Sequence, residues 1–337
     1  MTDVKRRKDA LRIGFGVAVS VLALAAVFYF IDLEGVLQAF QKADYRLLLP
    51  VFGLMILTLF TRASAWRVIL PGQLPRGKVF LIVNAGYLLN TILPLRMGEI
   101  GRAFLLQPAG LGFWQVIPTI LLERAFDVLI SLSIFLGSLP FVLQIPQGQL
   151  LVILVGIGVL LSLILLHLMT RYQEKLLAWL AGLTLPWPTF QEGLIDRLGR
   201  FLSGLEIMKD TPRFLKAFGW MVLTWGVTLL HFYLLLLAFL PDAKLVWAAF
   251  ALGAVAVGVT VPSSPGNLGV YEASLVAALT LFGISGSIAL AYALLSHFVL
   301  LSVTALFGSY TLVQEGLALR NLFAYRRQSA EESEGDL

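Results

Sequence analysis

Asn90-Thr91-Ile92-Leu93-Pro94-Leu95-Arg96-Met97-Gly98-Glu99-Ile100-Gly101-Arg102 breaks an apolar run that begins at Val79 and resumes over 103–106. In a water-soluble protein such a stretch would be an ordinary loop. Its neighbours, however, belong in lipid: the chain is 58% hydrophobic and 13% charged, with a mean hydropathy of +0.87. A charged side chain at the bilayer centre costs about 2.5–3.5 kcal/mol even on the lenient insertion scale. Irregular backbone at that depth persists only where protein buries it or where it lines a wet cavity. The stretch is therefore either a surface loop or the wall of a functional site.

Working outward, the long apolar runs cover 11–31, 47–69, 114–143, 150–169, 214–240 and 288–313. Each reaches the ~20 residues needed to span hydrocarbon as a helix. The run 79–93 would be about 22 Å long, short of the ~30 Å core, and its return piece ending near Leu106 is shorter still. A helical hairpin that enters and leaves on one side fits better than a tilted span. A second interrupted run, 246–282, carries Pro262-Ser263-Ser264-Pro265-Gly266-Asn267-Leu268-Gly269 at its break. The expected fold is thus all-α: a polytopic membrane protein with about six full spans and two re-entrant helical hairpins.

Charge sets the orientation. Lys5-Arg6-Arg7-Lys8, then Arg62, Arg67, Arg76 and Lys78, then the positives of 171–216, then Arg320, Arg326 and Arg327 form clusters that the positive-inside bias assigns to the cytoplasm. Both termini are then inside. The order span, span, hairpin, span occurs twice, in halves 11–143 and 150–313, which begin on opposite sides. This predicts an inverted repeat within one transmembrane domain, 1–320, followed by a disordered cytoplasmic tail, 321–337. Paired interrupted segments in two such halves point to a transport site near the membrane midplane. An amphipathic pattern at Leu194, Leu198, Phe201, Leu202 and Leu205 predicts an interfacial helix.

The polar residues of these segments are the candidate site. For substrate binding they are Asn90, Pro94, Arg96, Gly98, Glu99, Arg102, Pro265, Gly266 and Gly269. A guanidinium can grip phosphate or carboxylate with two parallel bonds, and the glycines let backbone approach closely. Glu99 is three residues from each arginine, so an Arg–Glu–Arg network that merely neutralises itself is the alternative. Glu123, Arg124 and Asp127 share one span, and Glu272 follows the second break. These four form a charge network or couple transport to protons. Arg124 is expected to bridge Asp127; Glu123, then left with no obvious local partner, is the candidate for carrying a proton or cation. Glu272 is expected to face Arg96 or Arg102.

Other chemistries find little support. The chain has no cysteine, hence no disulfide or thiolate metal site. His167, His231 and His297 lack metal-ligand spacing, and no phosphate-loop or serine-hydrolase motif occurs. The expectation is a non-enzyme without cofactor or metal, whose partners are membrane lipids rather than nucleic acid; self-association is left open.

Asn90-x3-Pro94-x-Arg96-x-Gly98-Glu99-x2-Arg102, Glu123-Arg124-x2-Asp127 and Pro265-Gly266-x2-Gly269-x2-Glu272 occur in this order. With them, residues 10–320 resemble the lysylphosphatidylglycerol synthase transmembrane-domain family, which includes the flippase half of the bacterial multiple peptide resistance factor. The resemblance implies a lipid-translocating core with two re-entrant hairpins. The full-length synthase also carries a soluble aminoacyl-transferase domain. The sequence through Leu337 has no counterpart of it, so synthase activity is not carried over. A flippase-like transporter of a lipid with an anionic or zwitterionic head group is the leading expectation. A membrane-embedded enzyme or accessory subunit in glycolipid or cell-envelope assembly, and a secondary transporter of a small anion, are the alternatives.

Overall fold

The computed structural model describes residues 18–23, 25, 29, 31–93, 97–143, 148–172, 175, 210–261 and 263–335. Most of the first expected span, the expected interfacial helix and Pro94 to Arg96 lie outside these. Among the described residues the fold is all-helical. Its main elements are α1 (Leu33–Lys42), α2 (Leu48–Ile69), α3 (Arg76–Ile92), α4 (Met97–Leu105), α5 (Phe113–Leu143), α6 (Gly148–Arg171), α7 (Thr211–Phe239), α8 (Leu245–Gly258), α9 (Val270–Thr280) and α10 (Gly286–Gly335).

Four of these are long and apolar enough to cross a membrane, over Tyr45–Ile69, Phe113–Val142, Thr211–Phe239 and Gly286–Gln314. Large apolar side chains such as Leu49, Trp114 and Phe298 point outward from them. Lipid, not water, is the solvent that tolerates such a surface.

Local chemistry sets the helix ends. Asp32 caps α1 by accepting from the backbone N–H groups of Glu34 (3.0 Å) and Gly35 (3.1 Å), satisfying donors that the first turn leaves unpaired. Asp210 caps α7 through Arg213 N, and Pro212 sits in the first turn, where its missing N–H costs nothing. The Arg213 side chain then donates to the carbonyls of Val68 (2.9 Å) and Leu70 (2.8 Å). Those are orphan acceptors at the end of α2, so one arginine ties the two helices together.

Two differences from expectation follow from the same rules. The connector 32–46 holds α1, whose Val36 and Ala39 pack on Leu290 and Ala291 of α10. The tail expected to be disordered continues α10 as helix to Gly335. Its Glu, Ala, Arg and Leu residues favour helix, and no proline interrupts them.

The two interrupted runs fold back on themselves. In the first, α4 lies against α3: Asn90 Oδ1 accepts from Gly98 N at 2.7 Å, and a Cβ at Gly98 would collide with the Gly86 carbonyl oxygen. In the second, α8 and α9 meet where a Cβ on Gly258 would strike the Ser274 hydroxyl. The chain turns between them through Gly266 (φ 72°), Asn267 (φ 56°) and Gly269 (φ 85°), a left-handed path that glycine enters without strain. The tips touch: a Cβ on Gly266 would stand 3.4 Å from Thr91 Cγ2.

Packing between elements is crosswise. Helix α2 lies along α7, α3 along α10, and α8 along α5. Close backbone approach makes the last two possible, with Gly308 against the Asn84 carbonyl and Gly253 against the Phe135 backbone.

Candidate functional site

Arg62, on α2, is the residue that sequence reasoning misplaced. Counted with Arg67, Arg76 and Lys78 as a cytoplasmic anchor, it is instead 8% exposed at the centre of a charge cluster. Its Nη1 and Nη2 donate to Asp127 at 2.8 Å each, and Nη1 also reaches Glu123 Oε1 at 3.1 Å. The signal that would have found it is its position inside the apolar run 47–69, where an ionisable residue is a site candidate by default.

Glu123, on α5, corrects the opposite error. It is fully buried, and besides Arg62 it accepts from Arg102 Nη2 at 2.6 Å and Arg124 Nη2 at 3.2 Å. Two of its three partners lie 61 and 21 residues away, beyond the reach of any helical-spacing rule. The carboxylate that had no obvious local partner in the sequence is thus held by three guanidiniums, through charge-assisted hydrogen bonds.

Arg102 therefore does not pair with Glu99 within α4. It passes over the face of Trp66, 3.8 Å from the ring centroid, on its way to Glu123. The quadrupole of the indole favours a cation there, and the indole N–H is occupied by Thr119 Oγ1 at 3.0 Å. Trp225 of α7 completes the cluster by donating to Asp127 Oδ1 at 3.0 Å. Arg124 bridges Asp127 as expected, with Nη2 at 3.1 Å from Oδ2. Glu99 faces Arg124, with 3.7 Å between Oε1 and Nε.

Glu272, expected opposite Arg96 or Arg102, is engaged elsewhere. Its Oε2 accepts from Gly269 N at 2.7 Å, capping the helix it belongs to. Its Oε1 shares a hydrogen bond with His297 Nδ1 at 2.5 Å. Tyr271 stacks on that imidazole with 4.3 Å between ring centroids and bonds Ser296 at 2.8 Å. His297, which lacks metal-ligand spacing in the sequence, is thus the partner that joins α9 to α10. His231 donates to the Val51 carbonyl at 3.1 Å and ties α7 to α2.

Between these two clusters lies a cavity of about 510 Å³. One part of its wall is Arg62, Glu99 and Arg124; another is Ser263, Ser264, Asn267 and His297; Leu59, Leu252 and Leu300 contribute apolar surface. Of the expected binding residues, Asn90, Glu99, Pro265 and Gly266 line it. Gly98 serves the α3–α4 contact, Arg102 stands behind the wall on Glu123, and Gly269 lies under the Glu272 carboxylate. Pro94 and Arg96 lie outside the described residues.

Helices fit to cross a membrane, arranged around a cavity with arginine and glutamate in its wall, define an integral membrane protein with an internal polar site. The family described as "Lysylphosphatidylglycerol synthase TM region" matches residues 13–308, and the chain belongs to that family. It is also similar to a UPF0104 membrane protein of Methanothermobacter thermautotrophicus, at 24% identity over 320 residues, which is 89% of this chain and 94% of the relative.

Proposed function

We propose that the protein moves a lipid between leaflets, passing an anionic or zwitterionic head group through the cavity while the acyl chains stay in the bilayer. The observation that carries this reading is the cavity itself: both broken hairpins bound it, and the neighbouring Arg124 and Glu99 line it together. A cavity with few placed charges and much apolar wall suits an amphiphile.

The reading includes an inverted repeat of about six spans, in which α2, α3–α4 and α5 recur as α7, α8–α9 and α10. Its support is that the main contacts between the halves have counterparts when the halves are exchanged: α3 on α10 answers α8 on α5, and α2 on α7 answers itself. The hairpins are re-entrant from opposite faces of the cell membrane, with both termini cytoplasmic. Because the chain has no cysteine, single cysteines report this directly. Positions near Gly77 and Gln107 are expected to label from the cytoplasm, and those near Lys244 and Ser285 from outside. Labelling of the first two from opposite faces would make α3–α4 a full crossing and end the repeat.

For the activity, purified protein is reconstituted into vesicles with a trace of phospholipid fluorescent in its acyl tail. An external quencher is expected to reach the inner-leaflet pool in these vesicles but not in protein-free ones. Folded protein that leaves that pool protected would refute the proposal. Uptake of a soluble anion in its place would make the protein a solute carrier.

A further inference from the structure

Arg124 is the cavity's under-committed cation. Its Nη2 contacts Glu123 and Asp127, but both carboxylates are already gripped by other arginines, Asp127 by Arg62 and Glu123 by Arg102. Its Nε is buried without a hydrogen-bond partner. The Glu99 carboxylate, 3.7 Å away, is too far to supply one. Among the described residues, Arg62, Arg102 and Arg124 outnumber Glu123 and Asp127 by one charge, and Glu99 is the acid that balances it. Both members of this loose pair are part-exposed, Arg124 at 32% and Glu99 at 26%, and both line the cavity.

We propose that Glu99 is a built-in stand-in for phosphate: it neutralises Arg124 while the cavity is empty, and the phosphate of an entering ligand displaces it. This rests on the lipid-moving reading and names the residue pair and the ligand group on which selection turns. Paired phosphate oxygens match the guanidinium fork and can satisfy the idle Nε, which Glu99 does not. The exchange costs little, because Glu99 gives up a contact beyond hydrogen-bond range and sits where solvent can take it. Asn90, whose amide oxygen is held by Gly98 N, keeps the α4 backbone in place while the side chain turns away.

The test is binding to the purified full chain, read as retained lipid by native mass spectrometry and as the ligand-induced rise in melting temperature. The probes are dioleoyl phosphatidylglycerol, a phosphate-free monogalactosyl diacylglycerol, and inorganic phosphate. The parent is expected to prefer phosphatidylglycerol over the galactolipid. Glu99→Gln is expected to bind phosphatidylglycerol about tenfold tighter than the parent, the scale of losing one competing charge in a partly screened site. Arg124→Gln is expected to lose the preference, and Glu99→Gln with Arg124→Gln to show no gain. Should Arg124→Gln fold poorly, Arg124→Lys keeps the charge without the fork, and the gain from Glu99→Gln should shrink in that background.

Equal or weaker phosphatidylglycerol binding by Glu99→Gln would overturn the stand-in role while leaving the lipid reading intact. A preference that survives Arg124→Gln would overturn the exchange at Arg124, again leaving the lipid reading intact. If inorganic phosphate alone shows the Glu99→Gln gain, and phosphatidylglycerol behaves like the galactolipid, the exchange stands and the lipid reading falls.

Discussion

Glu123→Gln is expected to destabilise the protein by about 3–5 kcal/mol, the range for removing one partner of a buried ion pair. The amide keeps the shape of the carboxylate but strips the counter-charge from Arg62, Arg102 and Arg124 at once. Two of those guanidiniums are nearly inaccessible, at 9% and 4% side-chain exposure, so water cannot replace it. The loss should appear as a lower melting temperature in detergent and a smaller monodisperse fraction. A compensating pair gives the check. Arg102→Met with Glu123→Leu removes one charge of each sign and leaves Arg62 and Arg124 opposite Asp127 and Glu99. Replacing a buried pair by apolar residues is often nearly neutral, so this double variant should recover most of the loss. If Glu123→Gln melts like the parent, the carboxylate is not the hub that its three contacts describe.

The second large effect is expected at Glu272. Alanine there removes two hydrogen bonds, the cap on Gly269 N and the bond to His297. Hydrogen bonds to charged groups contribute about 1.5–3 kcal/mol each, and the two share one side chain, so a loss of about 3 kcal/mol is expected. Its location differs from that of Glu123→Gln. Hydrogen exchange should quicken in the first turn of α9, from Val270 to Ala273, before the protection of α2 and α7 changes. His297→Ala should reproduce only part of this, because the cap survives it. Uniform loss of protection throughout the protein would mean that Glu272 holds the whole bundle together and not the second hairpin.

The breaks in the two interrupted runs were legible because their cause is local. Pro94, the glycines and the shortness of the runs all lie within a few residues of each break, and the helices end where that chemistry ends. The charge cluster was half legible. Glu123, Arg124 and Asp127 stood out as charges within one span, but their main partners, Arg62 and Arg102, arrive from other helices. Arg62 was hidden by proximity to Arg76, Lys78 and Arg67; the last donates to the Leu74 carbonyl at 2.5 Å in the loop beyond α2. His297 could not be matched to Glu272 for a related reason: 25 residues of chain separate them, and their meeting depends on how α9 lies on α10.

The crosswise packing has a consequence in time. A chain is inserted from its first residue onward, and α3 emerges long before α10, the helix it will lie against. The bond from Thr311 to the Leu81 carbonyl closes a separation of 230 residues, and contacts of such span are late and slow to form. Until then the first hairpin must persist on local ties, of which the Asn90–Gly98 bond is one. The buried face of α3, with Asn84 fully enclosed in the finished protein, stays open to lipid or to an insertion factor through most of synthesis. Assembly is therefore a clasp that shuts last, when α10 arrives.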